Sequence, residues 1–304
     1  MERGKTITAR KRLTDLLDPE FMNRLDSLDL LSRKILQGKL QGERRSKRRG
    51  QSVEFADHRP YVVGDDLRFV DWNIYGRLEQ LFLKLFIEEQ DLTVHVMADA
   101  SASMSVGEPS KELFIKKLAA ALGYVSLVNN NRVTLSMFAD GVVGQLANMR
   151  GRNYLHQMAD FLLTGQCDGP SQFESACRQI AASRIGSGVM IVLSDFLFKE
   201  GYDAALRRLI GRQYDLYIIQ VLSPQELSPD FGGDLKLMDI EDADAAEVTV
   251  SSALVKYYKR NLAAYCNELK DFCTRRGAVY VPANSADSVE SLVLNYLRRI
   301  RLLR

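Results

Sequence analysis

The chain has 304 residues, of which 46% are hydrophobic and 26% are charged, and its formal net charge is +2 at pH 7. These values are typical of a soluble globular protein with one large domain or one and a half. The small net charge gives no overall field that would select nucleic acid or a membrane surface. No apolar run approaches the roughly 20 residues that span a bilayer, and the N-terminal residues lack the apolar core of a signal peptide.

The cysteine pattern indicates a reduced compartment. The four cysteines show no spacing typical of metal ligands, and the last two lie two helical turns apart, too far to form a disulfide; they are Cys167, Cys177, Cys266 and Cys273. We therefore expect buried free thiols in a cytoplasmic protein. We also expect a monomer that does not insert into membranes.

Residues 1–49 form the first segment, a helical extension that ends in a basic linker. Asp18 and Pro19 are a helix start signal within 12–42. Apolar residues then recur at helical spacing, at Leu25, Leu28, Leu31 and Ile35. The basic run 44–49 is interpreted as a solvated linker. The alternative is a patch for nucleic acid or another anionic partner, although no aromatic residues lie close by to stack on bases.

Residues 50–90 form the second segment, which we call the collar. Its short extended pieces end in an apolar run at 81–89, which we expect to pair with 92–98 as an antiparallel hairpin. Acids and arginines cluster before that run. We expect a turn in which Asp65 and Asp66 bond backbone amides and pair with Arg59, Arg68 or Arg77. Trp72 is predicted to be buried. An acid–base catalytic site is the alternative for this cluster.

Residues 91–304 form the third segment, in which apolar strands alternate with amphipathic helices. Strands are expected near 92–98, 132–139, 189–194, 214–222 and 278–281. Helices are expected near 110–129, 152–164, 172–184, 202–211, 252–276 and 286–302. An irregular or hairpin insertion occupies 223–250. The fold class is therefore α/β, with an open, mostly parallel sheet that carries helices on both faces.

Two of the predicted buried strands end in a carboxylate. Asp99 is followed by Ser101 and Ser103, and Asp195 ends the strand near 189–194. Open α/β sheets place ligands at the carboxyl ends of their strands, and hard oxygen donors suit Mg²⁺. Between them, the loop before the helix near 172–184 supplies another hydroxyl in Ser171.

These motifs resemble known families. Asp99-x-Ser101-x-Ser103, a later hydroxyl and Asp195 resemble the metal-ion-dependent adhesion site of von Willebrand factor A domains. Residues 59–77 resemble the signature of a bacterial and archaeal family of unknown function, number fifty-eight. The elements that carry this resemblance are Arg-x-Tyr-x-x-Gly-Asp-Asp-x-Arg, then Asp-Trp and a further Arg. Members of that family carry a von Willebrand A-like domain and are commonly encoded beside AAA+ ATPases of the MoxR type.

The resemblance implies a weak Mg²⁺ or Mn²⁺ site formed by Asp99, Ser101, Ser103, Ser171 and Asp195. The serines would bind the ion directly, and the aspartates would bind it largely through water, or one of them would bind it directly. A partner carboxylate would complete the coordination. The sequence departs from the family pattern twice. The middle hydroxyl is usually Thr, for which Thr164 is a poorer candidate than Ser171, and the residue after the last Asp is usually Gly. Here that residue is Phe196, which we expect on the rim of the site.

The resemblance implies a non-enzymatic protein-interaction module. It would act as an adaptor between an AAA+ ATPase of the MoxR type and the proteins whose assembly or maturation that ATPase assists. One alternative is a metal-dependent hydrolase such as a phosphoesterase, although the sequence shows no phosphate loop and no nucleophile–base pair. Another alternative is a site that keeps these residues and binds no metal. In that case a nearby Arg or Lys would neutralise Asp99 and Asp195.

Overall fold

The computed structural model describes residues 13–30, 54–87, 92–183, 188–210, 214–229, 233–238 and 245–304. Side chains are described for all of these except 54–57, 85–87 and the two strands within 233–250. The described residues belong to two compact units, the collar at 54–87 and a larger unit that contains the rest. The basic run 44–49 and the predicted helical residues beyond 30 lie outside the described ranges.

A six-stranded sheet forms the centre of the larger unit. Its strands are β3 (Thr93–Asp99), β4 (Arg132–Ala139), β5 (Gly141–Met149), β6 (Gly188–Ser194), β7 (Tyr214–Leu222) and β10 (Val279–Asn284). Their order across the sheet is β10-β7-β6-β3-β4-β5. All neighbours run parallel except β4 and β5. The predicted open, mostly parallel sheet is confirmed, and the antiparallel edge strand β5 is an addition to it.

Helices cover both faces of this sheet. They are α1 (Pro19–Leu25), α3 (Lys111–Val128), α4 (Leu155–Thr164), α5 (Phe173–Ala182), α6 (Asp203–Ile210), α8 (Ser252–Arg275) and α9 (Val289–Ser291), the last continuing as a π-helical turn over Leu292–Leu297. The central strands bury both faces because their side chains alternate between two apolar cores. Val94 and Val96 of β3 pack in one core, and Met97 packs in the other.

The insertion predicted at 223–250 contains the short helix α7 (Pro224–Leu227) and a hairpin of β8 (Gly233–Met238) and β9 (Ala245–Val250). At the other end of the chain, Asp18 and Pro19 begin α1 as predicted, although the Asp18 side chain makes no capping bond. Within the described ranges, no helix combines the length and apolar character needed to span a bilayer.

The hairpin predicted between 81–89 and 92–98 is wrong. β2 (Phe82–Ile87) pairs antiparallel with β1 (Glu54–Pro60), whereas β3 lies between β4 and β6 in the large sheet. Two apolar runs close in sequence are compatible both with a hairpin and with pairing to other strands. Which strand each run pairs with depends on the tertiary structure, and the local sequence pattern does not encode it.

Asp71 organises the collar. Its carboxylate accepts hydrogen bonds from the amides of Asn73 and Ile74 at the start of α2 (Trp72–Leu78). It also bonds His58 at 3.1 Å and lies 3.3 Å from the Lys84 ammonium. Burial raises the pKa of Asp71, but the bonds from His58, the two amides and Lys84 outweigh it and lower the pKa to about 2.

The predicted acid–arginine pairs of the collar are present. Arg59 binds Asp65 through two hydrogen bonds of 2.7 and 2.8 Å, and Asp65 also accepts the Val62 amide. Arg68 binds Asp66. These pairs therefore have a structural role in closing the turn before α2.

Trp72 is not buried, contrary to the prediction. Its exposed fraction is 60%, because α2 turns Asp71 inward at its start and leaves the indole on the outer side. Other large apolar side chains of the collar share this exposure, namely Val62, Val63, Leu67, Phe69, Tyr75 and Leu78. Contiguous exposed apolar residues are typical of interaction surfaces. The signature block is therefore better interpreted as a surface than as a packed support.

We expect Trp72→Ala to change the free energy of unfolding by no more than about 0.5 kcal/mol, as for most surface substitutions. Val70→Ala is the matched control, since Val70 is buried in the same unit, and it should cost about 2 kcal/mol. Denaturant melts measure both values. Because Trp72 is the one tryptophan of the chain, its fluorescence should have the red-shifted emission of an indole in water. Blue-shifted emission from the folded protein would contradict the exposure.

Candidate functional site

The two strand-end aspartates lie at the same edge of the sheet. Asp99 ends β3, and Asp195 directly follows the adjacent strand β6. Both side chains are almost completely buried. Neighbouring parallel strands present their carboxyl ends together, so the predicted juxtaposition of these acids at adjacent central strands is confirmed.

The loop after β3 is built around Asp99. One carboxylate oxygen of Asp99 accepts the amide of Ser101 at 2.9 Å and its hydroxyl at 2.7 Å. The other oxygen accepts the Ser194 hydroxyl at 2.6 Å. The hydroxyl oxygens of Ser101 and Ser103 are 3.0 Å apart. The carboxylate and the two hydroxyls therefore form a continuous set of oxygen atoms at the strand end.

Backbone hydrogen bonds bring the loop of Ser171 to the same place. The Asp168 amide donates to Ala100 O, and the Ala102 amide donates to Gly169 O. The Gln172 amide donates to Ala139 O at the end of β4, and the Ser171 hydroxyl oxygen is shielded from solvent. Thr164 instead bonds the carbonyl of Asp160 within its own helix, so Ser171 is the better placed hydroxyl of the two.

A buried lysine lies against Asp195. Lys111 is the first residue of α3 and has no solvent exposure. Its ammonium nitrogen is 2.8 Å from one carboxylate oxygen of Asp195 and 2.5 Å from a carboxylate oxygen of Glu226. The other oxygen of Asp195 accepts the Leu197 amide. Sequence reasoning allowed for an unnamed Lys or Arg at this place but did not identify Lys111.

Glu226 was also missed, although the sequence contains a signal for it. Ser223 and Glu226 form a capping box at the start of α7, in which each side chain bonds the backbone amide of the other residue. This S-x-x-E pattern fixes the carboxylate after β7 and directs its free oxygen to Lys111. Gln220 of β7 is a further support, since its amide nitrogen donates to the Asp195 carbonyl at 2.8 Å.

Burial and the nearby charge of Asp195 raise the pKa of Asp99 well above its ordinary value, against the lowering effect of the bonds from Ser194 and Ser101. Two carboxylates that are buried close together repel each other, so ionisation of one makes ionisation of the other less favourable. A cation at this edge of the sheet, whether an ammonium or a metal ion, relieves that repulsion.

With this geometry established, comparison with known proteins identifies the family. The family model described as "Protein of unknown function DUF58" matches residues 57–281, which is most of the chain. The chain belongs to the DUF58 family. The match covers the whole collar signature at 59–77, both aspartates, the serines, Lys111 and Glu226.

Relatives and solved structures are also similar to this DUF58 chain. The uncharacterized proteins Rv1480 of Mycobacterium tuberculosis and Mb1516 of Mycobacterium bovis are each 25% identical over 256 residues, covering 83% of this chain and 80% of the relative. The conserved hypothetical protein BatB of Bacteroides thetaiotaomicron is 13% identical with a TM-score of 0.43, over 69% of this chain and 98% of that one. The SpRpn10 VWA domain is 12% identical with a TM-score of 0.39, over 68% and 95%.

Phe196 lies in the core of this DUF58 chain and not on the rim, where it was expected. It has no solvent exposure and contacts Phe173 and Phe198 edge-to-face, with ring centroids 5.8 Å apart in both pairs. Its φ angle is +57°, in the left-handed region that favours glycine. The backbone conformation therefore explains the usual Gly at this position, and burial of the ring explains how this chain tolerates Phe.

The donor set fits a divalent cation of the Mg²⁺ type. All candidate ligands are oxygens, and the oxygens of both aspartates already accept protein hydrogen bonds, which leaves the serine hydroxyls as the natural direct ligands. Among the described residues, no three His, Cys, Asp or Glu side chains form a metal-binding group, so any ion here would depend on these hydroxyls. Lys111 opposes a metal ion here, because its ammonium already pairs with Asp195.

Proposed function

We propose that this protein is a non-enzymatic protein-interaction module. Its partner would donate a carboxylate to a Mg²⁺ or Mn²⁺ ion held by Asp99, Ser101, Ser103, Ser171 and Asp195. The observation that supports this proposal is the joined set of oxygens at the end of β3, where the Ser101 hydroxyl lies between the Asp99 carboxylate and the Ser103 hydroxyl. Neutral hydroxyls leave an ion short of negative charge, so one further acid completes the site.

The exposed apolar side chains of the collar support the same role, since a surface of this kind gains stability when a protein partner covers it. For the partner we propose an AAA+ ATPase of the MoxR type, or a protein on which that ATPase acts. The family resemblance supplies this suggestion. In this proposal the module is an adaptor in the assembly or maturation of other proteins.

The test is the double change Ser101→Ala with Ser103→Ala. We expect it to weaken binding of a purified ATPase of the MoxR type at least tenfold in Mg²⁺, because the direct ligands of the ion are lost while Asp99 keeps its bond from Ser194. Biolayer interferometry in Mg²⁺ and in excess chelator measures the effect. Ser105→Ala is the matched control, because Ser105 is exposed in the same turn and bonds only the Ala102 carbonyl.

Two results would change the proposal. Undiminished binding of the ATPase in chelator would contradict the metal-bridged mechanism and leave the family assignment intact. Turnover of p-nitrophenyl phosphate by the wild type, lost in the double variant, would favour the hydrolase alternative. Calorimetry with Mn²⁺ on the wild type and Asp99→Ala gives a direct check of the ion, and equal heats for both would remove the metal site.

A further inference from the structure

Lys111 occupies a position that is unfavourable for a lysine on two physical grounds. It is fully buried, and it stands at the first residue of an 18-residue helix. Burial disfavours the ammonium, and the positive end of the helix dipole repels it. A lysine that lies here must therefore be held by strong partners of opposite charge.

Those partners follow two different strands. Asp195 follows β6, and Glu226 lies on α7 after β7, so the ammonium joins the start of α3 to the segments that follow both strands. Burial works against the charged form, but the charges and hydrogen bonds of Asp195 and Glu226 outweigh it and raise the pKa of Lys111 above its ordinary value. The two carboxylates, 2.8 and 2.5 Å from the ammonium nitrogen, hold the Lys111 charge beside the candidate ion site.

We propose that Lys111 is a built-in counter-ion which competes electrostatically with the divalent cation and keeps its affinity low, while Glu226 tunes the strength of that competition. This inference rests on the proposed function and adds its regulation. The ammonium already neutralises Asp195, so the ion gains less on binding. The site therefore fills fully only when a partner carboxylate adds negative charge, which makes metal binding and partner binding mutually dependent.

The charges give each substitution a direction. Lys111→Met removes the competing ammonium and leaves Asp195 and Glu226 with uncompensated negative charge, so the ion should bind more tightly. Glu226→Gln removes one negative charge and leaves Lys111 on Asp195 alone, so the ion should bind more weakly. A unit charge within one or two side-chain lengths of a divalent ion changes its affinity by about tenfold or more, even with strong dielectric screening.

The experiment is Mn²⁺ titration by calorimetry, checked by the electron paramagnetic resonance signal of free Mn²⁺, on folded full-length variants. We expect Lys111→Met to bind at least tenfold more tightly than the wild type and Glu226→Gln to bind a few-fold more weakly. The matched control is Lys117→Met, which removes the same charge from a partly exposed position of α3. It should leave the affinity unchanged. If Lys111→Met does not fold, the double variant Lys111→Met with Glu226→Gln replaces it and should bind more tightly than Glu226→Gln alone.

Equal Mn²⁺ affinity in the wild type and Lys111→Met, or in the substitute pair, overturns the inference, as does an equal gain in Lys117→Met. Tight binding by Lys111→Met with none by the wild type supports it and shows that Lys111 excludes the ion altogether. Failure of the proposed function has a different readout, namely ATPase binding by the wild type that does not respond to chelator. The two failures can therefore be distinguished on the same proteins.

Discussion

Phe196→Ala is expected to lower the free energy of unfolding by about 3–5 kcal/mol, the usual cost of deleting a buried aromatic side chain. The ring is fully enclosed and lies between Phe173 and Phe198, so its removal leaves a cavity lined by other aromatic groups. Denaturant melts by circular dichroism measure the loss. A value under about 1 kcal/mol would show that the site can collapse around the smaller residue.

Comparison with glycine separates the ring from the backbone. Because Phe196 has φ of +57°, glycine relieves strain that alanine keeps, by about 1 kcal/mol. Phe196→Gly should therefore be at least as stable as Phe196→Ala. Phe138 is the matched control, since it is equally buried but lies in strand β4 without a positive φ angle. There, glycine should be about 0.5–1 kcal/mol less stable than alanine. The same order of stabilities at both positions would contradict the backbone argument.

The central strands could be predicted because each is a fully apolar run whose length and ends are set by polar turn residues. β4 and β7 match their predicted bounds, while β3, β6 and β10 shift by one to three residues. The edge strand β5 was missed because the side chains between its two ends are only half-buried or exposed and include Gly144 and Asn148, residue types that are depleted in strands. Whether a segment forms an edge strand depends on the strand that it pairs with, and a local sequence pattern does not specify that strand.

The site shows the same division. The strand-end positions of Asp99 and Asp195 could be predicted because each follows a fully apolar run, whereas the grouping of Asp99, Ser101, Ser103, Ser171 and Asp195 as metal ligands comes from the family resemblance and stays a prediction. Lys111 was not identified, since a lysine at a helix start looks like an ordinary solvated residue in sequence. Its burial and its two carboxylate partners become visible only in the folded structure. For Trp72 the error was the reverse. Its residue type predicted burial, but the geometry of α2 leaves the side chain exposed.

Lys111→Met is expected to lower the free energy of unfolding by about 3–5 kcal/mol when divalent ions are removed by chelator. Breaking a buried ion pair from one side leaves an uncompensated charge, and here Asp195 and Glu226 both lose their cation. Denaturant melts measure the loss, with Lys117→Met as the control of equal charge on the same helix. The control should stay within about 0.5 kcal/mol of the wild type.

Mn²⁺ should restore much of that stability, which connects the fold to the proposed site. An ion that binds only the folded protein adds stability in proportion to the logarithm of its concentration over its dissociation constant, about 2.7 kcal/mol at a hundredfold excess. Because Lys111→Met should bind Mn²⁺ more tightly than the wild type, the same Mn²⁺ concentration should stabilise the variant more. Melts of both proteins across a Mn²⁺ series provide the comparison. A Lys111→Met variant that is as stable as the wild type in chelator, or that gains no more from Mn²⁺, would show that the ammonium and the ion do not share the charge of Asp195.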